Sequence, residues 1–187
     1  MIIFLNGTSS SGKSSIAEQL LRVLPTPYFH LPVDAINSMR ARERTYELDP
    51  DELADVLERT VLGFHRVVAG MAAAGNDVVV DHVLRERHWL RDCLTLLKDE
   101  EVVFVGVRCP LDEVVRRERE RGDRQIGRAA YHFDRVHAHG RYDVECDTGV
   151  STPEQCALRI KDFLDRGRSP SAFRELYTLQ KLDDPLV

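Results

Sequence analysis

Long hydrophobic runs are missing from this sequence of 187 residues, and none approaches the ~18 apolar residues that suggest a membrane span. The apolar stretch at residues 1–5 is too short for a signal-peptide core and carries no basic leader. An excess of basic residues is missing too, since the formal net charge of −5 argues against the basic face that nucleic-acid binding needs. These absences predict a cytoplasmic protein with neither a membrane nor a nucleic-acid partner.

Cysteine is scarce and scattered, and no two cysteines form a C-x-x-C pair. We therefore expect reduced thiols, mostly in the core, at Cys93, Cys109, Cys146 and Cys156. Internal repeats and low-complexity segments are also absent, and the composition has none of the bias of disordered or disulfide-scaffold chains. A chain of this length fits one domain, residues 1–187, with a real hydrophobic core.

Short apolar runs alternate with longer helical patterns, which predicts an α/β fold with a mostly parallel sheet. Runs such as VVFVGV are apolar without alternation, as expected of strands that helices cover on both faces. The predicted strands are residues 1–6, 28–33, 77–81, 102–108 and 142–147.

Helical spacing of apolar residues predicts helices at 14–24, 49–75, 86–97, 111–121, 128–138 and 152–165. We interpret the whole apolar face of the long helix within 49–75 as core. After Gly167 the pattern weakens, and the C-terminal segment, about 168–187, is either a short helix laid across the domain or a loosely held tail.

The stretch GTSSSGKSS follows the first strand and has the spacing G-x-x-x-x-G-K-[ST]. Glycines at both ends permit the turn, and small side chains between them leave backbone amides open to phosphate. In this pattern Lys13 reaches the β and γ phosphates, and the Ser14 hydroxyl completes a Mg²⁺ shell. The alternative is a merely flexible Ser/Gly loop. The predicted nucleotide-binding residues here are Gly7, Thr8, Ser9, Ser10, Ser11, Gly12, Lys13, Ser14 and Ser15.

Two aspartates lie at the carboxyl ends of predicted strands, where ligands of open parallel sheets bind: Asp34 follows the strand 28–33, and Asp81 ends the strand 77–81. Asp81 has the position of the acidic residue that holds Mg²⁺ in P-loop enzymes, and a loop or capping aspartate is the alternative. Asp34 either caps the next helix or accepts the proton of a substrate hydroxyl during phosphoryl transfer.

The stretch RRERERGDRQIGR carries many arginines. Its first half interleaves them with glutamates at helical spacing, which predicts a solvated face for Arg116, Arg117 and Arg119. Arg121 and Arg124 lie at and beyond the helix end, where a lid of about residues 121–138 could surround the transferring phosphoryl group with positive charge. Arg128 is a further candidate whose role the sequence leaves open.

The histidines give weaker signals. His137 and His139 do not share a helix face, and we interpret them as surface or lid residues. His82 follows Asp81 and must lie near the crevice, where a structural hydrogen bond is the favoured explanation over a contact with substrate.

Five stretches together resemble the chloramphenicol phosphotransferase family, a branch of the P-loop kinases: FLNGTSSSGKSS, LPVDAI, VVVDHV, VGVRCPLDEVVRRERERGDR and YDVECDT. The resemblance runs from residue 1 to about residue 160, with gaps. It implies a three-layer fold, with a five-stranded parallel sheet between helices, and transfer of the ATP γ-phosphate to a primary alcohol of the antibiotic. It also implies that Asp34 is the catalytic base and that Arg121 and Arg124 are lid arginines.

Our main hypothesis is an ATP- and Mg²⁺-dependent O-phosphotransferase whose acceptor is a small-molecule alcohol, chloramphenicol or a related antibiotic. The segment AINSMRARERTYELDPDEL departs from the family, being shorter and more basic, and leaves the acceptor open. A second hypothesis is a kinase for a nucleotide, a sugar acid or a different antibiotic. An anionic acceptor could contact Arg40, Arg42 and Arg44, although these also fit a solvated charge run. A third is a nucleotide-binding regulatory NTPase. The oligomeric state stays open, a homo-oligomer included.

Overall fold

The computed structural model describes residues 1–122 and 127–183. Its centre is a five-stranded sheet in the order β2-β3-β1-β4-β5, with every neighbouring pair parallel. The strands are β1 (Ile2–Asn6), β2 (Tyr28–Pro32), β3 (Asp77–His82), β4 (Val102–Arg108) and β5 (Val144–Asp147). All five predicted strands are therefore confirmed, with boundary shifts of one or two residues.

Helices connect the strands and cover both faces of the sheet. They are α1 (Lys13–Val23), α2 (Val33–Ser38), α3 (Arg42–Tyr46), α4 (Pro50–Ala73), α5 (Arg87–Leu96), α6 (Leu111–Arg121), α7 (Arg128–Val136), α8 (Pro153–Asp165) and α9 (Ala172–Asp183). Helical spacing did not predict α2 and α3, which have only six and five residues and no apolar repeat long enough to show it. A helix at the place of α2 entered only through the capping alternative for Asp34.

The core lies in two layers, one on each face of the sheet. Within β1, Ile2 and Phe4 pack toward α4, α5 and α9, whereas Ile3 and Leu5 pack toward α1 and α8. Successive side chains of a strand point to opposite faces, so both sets must be apolar when both faces are covered. This confirms the three-layer interpretation of the non-alternating runs.

Within the C-terminal segment, Ala172–Asp183 form the helix α9, which agrees with the short-helix alternative for these residues. Its residues Ala172, Phe173 and Leu176 are buried in the core layer formed with α4 and α5. The carboxylate of Asp143 accepts hydrogen bonds from the backbone N–H groups of Ser171 (2.7 Å) and Ala172 (3.0 Å), which satisfies donors at the start of the helix.

The prediction that the whole apolar face of α4 is core is wrong for its N-terminal half. The 24 residues of α4 span about 36 Å, whereas the six residues of β3 span about 20 Å. The helix therefore outruns the sheet, and its buried residues begin at Phe64. Leu57, in the first half, is 38% exposed and faces a cavity beyond the carboxyl ends of the strands.

Two further predictions can be compared with the structure. All four cysteines are free and buried, as expected of reduced core thiols. Among the residues that the structure describes, no helix combines the length and apolar character needed to cross a bilayer.

Candidate active site

The loop between β1 and α1 is tightly constrained by its glycines. A Cβ on Gly7 would come within 3 Å of the Val107 carbonyl oxygen on β4, so only glycine fits beside that strand. Gly12 and Ser10 have φ angles of 91° and 62°, in the left-handed region that glycine adopts freely. The flexible-loop alternative does not describe this segment, since most of its residues are buried.

Lysine and serine at the end of the loop converge on Asp81. Lys13 Nζ donates to the Thr8 carbonyl oxygen at 2.8 Å and lies 3.7 Å from Asp81 Oδ1. The Ser14 hydroxyl donates to Asp81 Oδ2 at 2.6 Å. The structure thus brings together the loop lysine and both residues predicted to hold a metal, which lie 67 positions apart in the chain.

The donor set at this point fits Mg²⁺. A hydroxyl and a carboxylate are the oxygen ligands that Mg²⁺ takes, and it usually keeps several waters and substrate phosphates instead of a full protein cage. Within residues 1–122 and 127–183, no cluster of three or more His, Cys, Asp or Glu side chains suited to a metal occurs.

Arg117 belongs to the site, which the sequence analysis missed. Its guanidinium donates to Thr148 Oγ1 (3.1 Å) and to the Thr148 carbonyl oxygen (2.8 Å). The Thr148 hydroxyl also lies 2.8 Å from the Ser11 carbonyl oxygen, to which it donates. The solvated interpretation holds for Arg116, which pairs with Glu113 and Glu120, but is wrong for Arg117. The sequence did contain one signal for this role. Arg117 lies three residues after the apolar Val114, which is fully buried in the structure, so the two side chains are neighbours on the helix surface.

The predicted lid arginines lie at the limit of what the structure describes. Arg124 falls outside the described residues, and the side chains of Arg121 and Arg128 are outside them as well. Arg121 is the last residue of α6, and Arg128 is the first of α7. Their predicted contact with the transferring phosphoryl group therefore stays a prediction.

A cavity of about 1130 Å³ runs from the phosphate loop to α2, α4 and the segment after β3. Asp34 lines it and lies in the first turn of α2, where Pro32 and not Asp34 occupies the N-cap position. The capping alternative for Asp34 is therefore not what the structure shows. Asp34, Asp81 and Ser14 border the same space.

One face of α4 forms a wall of this cavity. Ala54, Leu57, Glu58 and Val61 line it, at the spacing that places residues on one side of a helix. The Glu58 carboxylate is held in place by Trp89 Nε1 (2.8 Å) and His88 Nε2 (2.8 Å) from α5.

Arg85 is a cation in this cavity that the sequence analysis did not single out. Its guanidinium carbon lies 4.6 Å from the ring centre of Trp89, and Nη1 is 3.2 Å from His132 Nε2. Its Nε is 3.4 Å from a Glu86 carboxylate oxygen. The available signal was its position four residues after Asp81, at the ligand-binding edge of the sheet.

The basic segment after α2 does not line the cavity. The Arg40 guanidinium donates to Asn37, Thr45 and Thr60. Arg44 pairs with Glu47 in solvent. Neither they nor Arg42 is among the lining residues, so the solvated-charge interpretation fits this segment better than contact with an anionic acceptor.

His137 and His139 are not surface residues. The His137 ring lies 2.6 Å from the Tyr142 hydroxyl, and His139 stacks on Phe104 at 5.0 Å between ring centres. Burial lowers the pKa of both imidazoles to about 4, with a further contribution from Arg108. For His82 the structure agrees with the predicted structural hydrogen bond, because its ring is buried and hydrogen-bonded to His65.

The parallel sheet, the loop after β1 and the acidic residue near the end of β3 define a P-loop protein of the kinase class. Comparison with known proteins agrees, since the family model described as chloramphenicol phosphotransferase-like protein matches residues 1–165. The chain therefore belongs to the chloramphenicol phosphotransferase-like family, and it is a phosphotransferase enzyme of the kinase type.

The individual relatives and solved structures share less than a third of their sequence with this chain. A Mycobacterium tuberculosis H37Rv protein named "Putative O-phosphotransferase Rv2636" is 29% identical over 195 residues, which covers 94% of this chain and 87% of the relative. The structure of M. tuberculosis APS kinase CysC with AMPPNP and APS has a TM-score of 0.65 at 17% identity, covering 88% of this chain and 96% of that one. The Deinococcus radiodurans tunicamycin resistance protein has a TM-score of 0.64 at 20% identity, covering 87% and 94%. At these identities the two structures show a shared fold.

Proposed function

We propose that the protein transfers the γ-phosphate of ATP, with Mg²⁺, to a hydroxyl of a small molecule, and that the acceptor is chloramphenicol or a related antibiotic. The observation that carries the proposal is the 2.6 Å hydrogen bond between Ser14 and Asp81, which line the same cavity as Asp34. A phosphate site and a carboxylate that can receive a proton thus share one space.

The residues divide the reaction between them. Backbone amides of the loop and Lys13 hold the phosphates, and Ser14 and Asp81 would hold Mg²⁺. When bound, the ion supplies positive charge to the phosphate oxygens. The acceptor oxygen forms a bond to the γ-phosphorus as the bond to the β-phosphate oxygen breaks, and Asp34 receives the hydroxyl proton. Arg121 and Arg124 complete the positive charge around the transferring group.

Arg117 and the segment that follows β5 border one part of the cavity, which we call the nucleotide half. Thr148, Val150 and Pro153 also line the cavity, and Arg117 donates a hydrogen bond to the Thr148 carbonyl oxygen. A planar guanidinium next to an open segment provides a surface on which an aromatic base can stack. We assign this half to the base of ATP, because it adjoins the phosphate loop through the Thr148–Ser11 hydrogen bond.

The acceptor half favours an uncharged alcohol with an apolar part. Leu57 and Val61 present apolar surface to the cavity, while Glu58 and Asp34 place carboxylates there. An acid acceptor would meet repulsion from these carboxylates, and the cavity cation Arg85 already faces the Glu86 carboxylate, 3.4 Å from its Nε. The arginines of the segment after α2, on which an anionic acceptor would depend, do not line the cavity. This supports an antibiotic alcohol over a nucleotide or sugar acid.

The experiment is product mass after incubation with ATP, Mg²⁺ and a panel of chloramphenicol, other hydroxylated antibiotics, nucleosides and sugar acids. We expect chloramphenicol or a related antibiotic to gain one phosphoryl group. Asp34→Asn should reduce kcat by about 10²-fold or more, the range for loss of a general base, with ATP affinity retained. Asp55→Asn, on the exposed side of α4, is the matched control and should keep full activity.

Other outcomes assign the protein differently. Phosphorylation of a sugar acid or nucleoside alone would contradict the acceptor class. ATP hydrolysis with no phosphorylated product, unchanged in Asp34→Asn, would instead support a regulatory NTPase, because water attack needs no base at that position.

A further inference from the structure

Three hydrogen bonds in series link the end of β3, through α4, to Asp92 on α5. The backbone N–H of Val83 donates to His82 Nδ1 at 2.8 Å. His82 Nε2 lies 2.9 Å from His65 Nε2, and His65 Nδ1 lies 2.7 Å from Asp92 Oδ2. His65 and His82 are almost fully buried, at 2% and 1% exposure. We call this series the His82–His65–Asp92 chain.

The chemistry of the groups fixes where its protons are. A backbone N–H only donates, so His82 Nδ1 is unprotonated, and the neutral ring carries its proton on Nε2. That proton is donated to His65 Nε2, which must then be bare, so His65 carries its proton on Nδ1 and donates it to Asp92. Protonation of either ring would place two donors face to face.

The environment supports neutral rings ending at a charged carboxylate. Burial lowers the pKa of His65, although Asp92 opposes the shift. For Asp92, burial acts to raise the pKa, but hydrogen bonds from Arg66 and His65 outweigh it and the pKa is lowered.

The His82–His65–Asp92 chain connects the residues next to the phosphate loop with the cavity wall on α4 and with α5. His82 directly follows Asp81, whose carboxylate meets the phosphate loop. His65 lies on α4, one turn beyond the wall residue Val61, and Asp92 lies on α5, which carries Trp89. The His82 ring also stacks on Trp89, with ring centres 6.0 Å apart and planes 20° apart.

We propose that His65 and Asp92, which lie outside the reacting groups, are positioning residues that hold the acceptor wall of α4 and α5 in register with Asp81 and the phosphate loop. This inference rests on the proposed function. Phosphoryl transfer depends on alignment of the attacking oxygen, and a misplacement of about 1 Å can cost about 10²-fold in rate. Removing a hydrogen bond from the His82–His65–Asp92 chain should therefore slow phosphoryl transfer without weakening nucleotide binding.

The test replaces His65 by amides of two lengths. His65→Gln places an amide oxygen near the position of Nε2 and keeps an acceptor for His82 Nε2–H, whereas His65→Asn is one methylene shorter and leaves that donor unpaired. We expect His65→Asn to reduce kcat at saturating acceptor by at least about tenfold. His65→Gln should restore most of it, and both should keep the ATP dissociation constant within about twofold. Thr95→Val, at an exposed position of α5 outside the His82–His65–Asp92 chain, is the control and should leave kcat within about twofold.

Ring ¹⁵N chemical shifts of the acceptor-free protein give a second readout. We expect His82 protonated on Nε2 and His65 on Nδ1. A His65 ring protonated on Nε2 instead of Nδ1 would contradict the His82–His65–Asp92 chain. Equal kcat in the two amide variants per folded molecule, with only unfolding temperatures reduced, would overturn the positioning role. If the wild type phosphorylates no alcohol, the proposed function fails and the positioning role with it, while the ring shifts still decide whether the hydrogen-bond chain exists.

Discussion

Replacing Gly7 by alanine tests whether the phosphate loop depends on its contact with β4. The added methyl group would approach the Val107 carbonyl oxygen to less than 3 Å and Ser11 Oγ to 2.8 Å. The carbonyl cannot retreat, because β4 is held between β1 and β5 in the sheet. A carbon atom needs about 3.5 Å from such a neighbour, so the loop must move away by roughly 1 Å.

The size of the effect follows from this displacement. Overpacking of a rigid site costs ~1–3 kcal/mol, which for a chain of this length lowers the unfolding temperature by about 2–10 °C. The loop amides that would bind phosphate move with Gly7, and each hydrogen bond to a charged group is worth ~1.5–3 kcal/mol. Loss of one such bond weakens ATP binding by about tenfold or more.

The assay is thermal unfolding together with ATP titration. Gly70→Ala is the matched control, because a Cβ there meets nothing within 4 Å and Gly70 lies inside α4. Alanine should stabilise that helix by up to ~1 kcal/mol and leave ATP affinity unchanged. A Gly7→Ala variant with wild-type unfolding temperature and ATP affinity would refute the steric argument.

Two further predictions concern stability. Because burial lowers the pKa of His137 and His139 from 6.5 to about 4, the unfolded chain binds protons that the folded chain does not. Stability should therefore be complete above about pH 6.5 and decline as the pH falls toward 4, by ~1–2 kcal/mol for each ring after discounting for partial exposure. Urea denaturation at pH 7.5 and 5.0 measures this, and an identical pH dependence in His139→Gln would contradict it. Phe173→Ala should cost ~3–5 kcal/mol, because its ring lies 5.1 Å from that of Phe104 in the core. An unchanged unfolding temperature would mean that α9 contributes little to the fold.

Local chemistry made the phosphate loop predictable. Nine consecutive residues contain both the glycines that the turn requires and the lysine and serine that face the phosphates, so no distant contact is needed to recognise them. Asp34 and Asp81 were found for a related reason, since each lies within two residues of the carboxyl end of a strand, at the ligand-binding edge of the sheet.

Residues that act through distant partners were not predictable in this way. Arg117 looked like its neighbour Arg116 in sequence, and only the seating of α6 beside Thr148 separates their roles. The apolar face of α4 likewise looked uniform, although its first half faces a cavity because the helix outruns the sheet.

The strands, the main helices and the nucleotide-binding loop could be predicted from the sequence, because hydrophobic periodicity and turn chemistry are local properties. Tertiary structure alone decided which polar groups meet: Ser11 with Thr148, 137 positions apart, and His82 with His65 and Asp92. Such pairings depend on how elements pack around the sheet, and a buried polar side chain carries no mark in the sequence of the partner that will satisfy it.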